Sequence, residues 1–185
     1  MREQLSTSRH WLRAPATITL LAIFGSALAV DEFASKKPGL WVSSTVIHIN
    51  MVGHASDTDD TPRVHAMCTD ASTDAIEAKL LAGAPGQCGL NVEGSGGSYT
   101  ISGSCPDPMG GDGTMVTHGT IVKQSDTLIH TESQSTSPHM SSSAVGDHKW
   151  VGPCPAGVMP GDQGTFVNGV FKKSGNIKDA LPDAR

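Results

Sequence analysis

The chain has 185 residues, 13 Lys+Arg against 18 Asp+Glu, and only 4% aromatic residues. Without clustered Lys/Arg to neutralise phosphates it is not a basic nucleic-acid binder. One long apolar stretch excludes a multi-span membrane protein, and 21 glycines without heptads exclude a long coiled coil. What remains is a Gly/Ser/Thr-rich chain with a thin core.

Arg2, Arg9 and Arg13 precede the apolar run Ala14 to Val30, which ends in Ala27-Leu28-Ala29. Charged, apolar and small-residue segments in that order predict a secretory signal peptide over 1–29. Thr17, Thr19 and Ser26 in a short run argue against a membrane anchor. Removal of 1–29 takes three basic residues and one acidic residue, leaving ten against seventeen, or −7. An acidic surface repels nucleic acid and anionic membranes, so no stable membrane insertion is expected after cleavage.

Pro38-Gly39 then punctuates the start of a strand, Leu40 to Asn50, with Trp41, Ser43, Thr45, Ile47 and Ile49 on one face. Met51 to Pro62 reads as a loop, and Val64 to Cys68 as the approach to a helix. Asp70, Ser72 and Thr73 offer N-cap oxygens for that helix. Ile76 and Leu80 supply an apolar stripe, and Gly83 and Pro85 supply the stop.

Gln87 to Cys105 carries a β-hairpin. Gly96-Gly97 suits a two-residue turn with positive φ at both positions. Counting outward, Ser95 faces Ser98, Val92 faces Ile101, Leu90 faces Gly103 and Cys88 faces Cys105. This register puts Leu90, Val92, Tyr99 and Ile101 on one face and the polar residues on the other. Three further strands are predicted over Thr114 to Lys123, Thr127 to Ser135 and His139 to Val151. The Pro/Gly-rich tail after Cys154 is expected to be largely mobile, with Phe166, Val167, Val170 and Phe171 docking a short segment.

Four cysteines in an exported chain read as two disulfides, since the C-x-x-C pairs typical of zinc are absent. The hairpin register pairs Cys88 with Cys105, and elimination leaves Cys68 with Cys154. The expected fold is mainly β. It is a single domain over 30–154, an antiparallel curved meander or partial barrel of about six strands with one short α-helix and two disulfides. The tail is 155–185.

With these landmarks placed, the chain resembles an uncharacterised family of exported Gram-negative bacterial proteins, a domain of unknown function. Lys37-Pro38-Gly39-Leu40-Trp41, Cys68-Thr69 before the helix, the Cys-flanked hairpin, Gly113-Thr114-Met115 and Gly152-Pro153-Cys154 carry the resemblance over about 37–154. Val42 and Pro153 depart from acidic residues common at those positions. The resemblance implies a periplasmic location and a β-rich fold, and supplies no catalytic residue.

No Walker motif, nucleophile elbow or H-E-x-x-H occurs, so no catalytic residue and no cofactor is assigned. Among dispersed histidines, His48, His118 and His130 lie in β-patterned runs and are the candidates for copper or zinc. Trp41, Tyr99, Ile101 and Trp150 are expected to fill the core or to line an apolar ligand pocket. The expected function is a non-enzymatic exported protein binding a small apolar ligand or an envelope partner. The alternatives are a periplasmic metal-binding protein using dispersed His and Met, and an enzyme of unrecognised type.

Overall fold

The computed structural model describes residues 35–54, 59–82, 89–110 and 112–181. The predicted signal segment and Cys88 lie outside these residues. The elements are β1 (Gly39–Met51), β2 (Arg63–Thr69), α1 (Ala71–Ala82), β3 (Gly89–Ser95), β4 (Ser98–Pro106), β5 (Thr114–Ser125), β6 (Leu128–Thr136) and β7 (Met140–Gly152). A hairpin of β8 (Asp162–Val167) and β9 (Val170–Asn176) follows, then a short 3-10 helix, Ile177–Ala180.

All described strands form one sheet in the order β3-β4-β5-β6-β7-β1-β2-β8-β9, each antiparallel to its neighbours. Among the described residues the fold is mainly β with one α-helix, as expected, but it has nine strands rather than about six. The sheet does not close: β3 and β9 are its two edges.

The β3–β4 hairpin has the register read from its sequence, with Ser95 opposite Ser98, Val92 opposite Ile101 and Leu90 opposite Gly103. Gly96 and Gly97 take φ of 63° and 86°, the positive values that a two-residue turn of this hand demands. The three additional strands come from two places. Arg63–Thr69 pairs with β1 along its whole length instead of only leading into the helix. Its Ala66 and Cys68 are fully buried, so small side chains mark its inward face where a larger apolar residue would have announced a strand. The tail forms β8 and β9, which pair with each other and attach to β2.

Asp162 fixes the entry to that tail. It is 2% exposed, and its carboxylate accepts from Met159 N at 3.1 Å, Asn176 Nδ2 at 3.0 Å and Lys173 Nζ at 2.6 Å. The Lys173 contact, followed by the Met159 and Asn176 hydrogen bonds, holds the carboxyl down at about 2. Gly161 N also donates to Cys68 O at 2.8 Å, tying the tail to the end of β2.

Asp70 caps α1, accepting from Ser72 N at 2.9 Å and Thr73 N at 3.1 Å, while Thr73 Oγ1 accepts in return from Asp70 N. The expected Ile76–Leu80 stripe is only partly used. Ile76 is half-buried and Leu80 is exposed, while the side chain that α1 buries completely is Thr73.

Trp41, Val92, Tyr99, Ile121 and Ile129 form the buried cluster, with Ile101 and Trp150 packed against it. It gathers at one end of one sheet face. Farther along that face the cross-strand rows hold small side chains, such as Gly119, Ser133 and Ala144. Among the described residues there is one disulfide, Cys68–Cys154, and not the two expected, since Cys88 lies outside them. It joins Cα atoms 5.6 Å apart across 86 residues of sequence. A loop of that length restricts the unfolded chain by about 4–5 kcal/mol in the chain-entropy account. Replacing both Cys68 and Cys154 by Ala is expected to lower stability by about 4 kcal/mol, read as a lower urea midpoint together with a larger m-value, because the released unfolded chain exposes more surface.

Candidate functional site

The apolar end of the sheet is organised by two tryptophans. Trp41 on β1 and Trp150 on β7 are cross-strand partners. The Trp41 indole N–H donates to Lys37 O at 2.8 Å, and that of Trp150 donates to Pro38 O at 3.0 Å. Both indoles thus find the acceptors that a packed tryptophan needs, and both find them on the segment preceding β1. Lys37 Nζ stands 3.7 Å from the centroid of the Trp150 ring, a cation held over the electron-rich face.

Gly39 permits this closure. Its φ is +136°, and a Cβ there would overlap the Trp150 indole nitrogen and the Gly152 carbonyl. Leu40 and Trp41 follow, 2% and 4% exposed. Each residue of Lys37-Pro38-Gly39-Leu40-Trp41 therefore has a structural role in one clamp.

The segment ahead of the clamp is anchored at both sides. Lys36 N donates to Asp74 Oδ2 at 3.1 Å, and Lys36 Nζ pairs with Glu77, both on α1. Burial pushes the Asp74 carboxyl up, while the Lys36 hydrogen bond and charge oppose that rise. On the far side Lys123 Nζ from β5 donates to Ser35 O at 2.8 Å.

Two cavities share Trp41 and Lys36 as walls. The larger, about 660 Å³, has Trp41 and Ile129 as its apolar surface and Lys36, Lys37, Lys123 and Asp126 at its polar surface. The smaller, about 250 Å³, includes Ser43, His65, Met67 and His148. Of the four residues expected to line a pocket, Trp41 reaches both cavities, while Tyr99, Ile101 and Trp150 pack behind it.

In the smaller cavity the hydrogen bonds define the imidazole tautomer. Thr131 Oγ1 donates to Gly146 O, so its oxygen accepts from His148 Nε2 at 3.3 Å. His148 Nδ1 is then the bare nitrogen and accepts from Ser43 Oγ at 2.7 Å. A nucleophile and base would be paired in this way. Burial, followed by the charge of Lys36, lowers His148 to about 4. An imidazole so weakly basic, oriented by a hydroxyl rather than a carboxylate, is badly matched to taking a proton from serine near neutral pH.

The histidines singled out in the sequence do not converge. His118, Gln134, Ser143 and His48 form one cross-strand row over β5, β6, β7 and β1. Three interstrand steps separate the two histidines by roughly 14 Å. His48 Nε2 contacts Asp60 Oδ1 at 2.7 Å. His130 lies between Asp147 at 2.8 Å and Glu132 at 3.2 Å, and those carboxylates raise its pKa. Sequence reasoning counted His65 and Met67 among the dispersed His and Met and did not single them out. Their alternation on one strand face was the available signal, and it has meaning only once Arg63–Thr69 is a strand.

Gly39→Ala is expected to cost about 3 kcal/mol, from a strained backbone and an overlap with Trp150. Gly53→Ala is the control: φ is also positive, at +81°, but a Cβ there meets nothing within 4 Å. It should cost only about 1 kcal/mol. Urea unfolding of the two variants checks the difference.

Neither a curated protein nor a solved structure matches the chain. A family model described as a protein of unknown function (DUF3617) matches residues 36–154. The matched span opens at the anchored Lys36, runs through the tryptophan clamp and ends at the disulfide-bonded Cys154, so the chain belongs to this family.

Proposed function

We propose that the chain is an exported, non-enzymatic binding module whose larger cavity takes a small ligand with an apolar body and an anionic group. The cavity carries this reading. At about 660 Å³ it has the volume of small-molecule sites, and it sets Trp41 and Ile129 beside Lys36, Lys37 and Lys123. An aromatic and aliphatic surface removes apolar atoms from water, and ammonium groups at its edge orient a carboxylate or sulfonate.

Export is supported by the charged, apolar and small-residue order of residues 1–29, and by the Cys68–Cys154 disulfide, a bond kept in oxidising compartments. The periplasm is the compartment that the family resemblance implies. The non-enzymatic reading rests on His148, which among the described residues is the imidazole paired with a hydroxyl in a cavity and is held weakly basic.

Two fluorescent naphthylamines of similar shape test the proposal: the anionic 1-anilinonaphthalene-8-sulfonate and the neutral N-phenyl-1-naphthylamine. The anionic probe is expected to saturate at one per chain and to bind about tenfold more tightly, a preference of about 1.4 kcal/mol. The double variant Lys37→Gln/Lys123→Gln should abolish the preference. Non-saturable binding, or equal affinity for both probes in the native protein, contradicts the reading.

A further inference from the structure

We propose that the smaller cavity is a monovalent copper site with His65, Met67 and His148 as its ligands. The site is separate from the larger cavity and does not depend on what that cavity binds.

The sheet register brings the three side chains together. His65 and Met67 alternate on β2 and so share one face, about 6.6 Å apart along the strand. Ser43 on β1 is the cross-strand partner of both His65 on β2 and His148 on β7. The two imidazoles therefore flank the same residue from opposite sides, two interstrand steps apart. All three candidate ligands and Ser43 line the one cavity of about 250 Å³.

Hydrogen bonds locate two of the three donor atoms. The Met67 thioether accepts from Gln163 Nε2 at 3.7 Å, and both residues line this cavity. His148 Nδ1 accepts from Ser43 Oγ at 2.7 Å, a hydrogen bond that a metal would replace once the Ser43 hydroxyl turns away, and its Nε2 lies 3.3 Å from Thr131 Oγ1. An outer hydrogen bond that orients a ligating imidazole is the usual companion of a metal-bound histidine. His65 is exposed, which leaves a route of entry.

The donor set selects the metal. Two imidazoles and a thioether suit a soft monovalent copper ion, which is satisfied by few ligands. Zinc sites draw on thiolates and carboxylates to complete four positions. The carboxylate in this wall, Glu77, is paired with Lys36 and so is engaged away from an incoming cation.

The test is a competition titration of the full chain with monovalent copper and bicinchoninate, without oxygen and without thiol reductant. One copper per chain is expected to resist the chelator. Met67→Leu, which conserves volume, and His65→Gln, at an exposed position, should each lower copper affinity about tenfold or more while leaving the urea midpoint unchanged. X-ray absorption of the loaded protein should show one sulfur neighbour that Met67→Leu removes. The proposal is overturned if no copper is retained, if both variants bind as the native chain does, or if divalent zinc is held more tightly than monovalent copper.

Discussion

Two indoles closing on the four-residue segment 35–38 hold the functional end of this molecule together. Trp41 and Trp150 face each other across β1 and β7, and both donate to the carbonyls of Lys37 and Pro38. Burying an indole is favourable only when its N–H keeps an acceptor. Here the acceptors come from the chain just upstream of the sheet. The clamp therefore fixes the path of residues 35–38, and through Lys36 and Lys123 it links α1 to β5. Both cavities are bounded by that segment and by Trp41, so their walls exist because the clamp does.

The surrounding architecture explains why one interaction matters so much. The buried cluster holds few large side chains, and along the same face the strands carry Gly, Ser and Ala. A sheet of nine strands with so localised a core draws on other constraints. The Cys68–Cys154 bond joins the end of β2 to the segment after β7, next to where the clamp closes. Gly161 donates to Cys68 O, and Asp162 gathers Met159, Asn176 and Lys173, so the added hairpin is fastened to the same place.

Some of this was written in local chemistry and some was not. The β3–β4 register followed from Gly96-Gly97 and a strict alternation, and the helix start from Asp70 and Thr73, because each is decided within a few residues. β2 was hidden because burial there falls on Ala66 and Cys68, which carry little hydrophobic signal. β8 and β9 were hidden by a Pro/Gly-rich composition, although Asn168-Gly169, with φ of 52° and 78°, is a strong two-residue hairpin signal. Trp41, Tyr99, Ile101 and Trp150 were expected to fill the core or to line a pocket; Trp41 and Tyr99 lie in the buried cluster, and Ile101 and Trp150 pack against it. The sequence could not show that Trp150 reaches back to Pro38, 112 residues away, nor that His148 joins His65 and Met67 over Ser43. Such juxtapositions depend on sheet order, which no local pattern contains.

The central claim is that the two indole hydrogen bonds hold the 35–38 segment as part of the folded unit. Hydrogen exchange at the indole N–H groups of Trp41 and Trp150, assigned with Trp→Phe variants, tests it most directly. The account expects both to exchange about a thousandfold or more slower than free indole, alongside the most protected amides of β1 and β7. Exchange of either indole at the free rate, with those amides still protected, would contradict it.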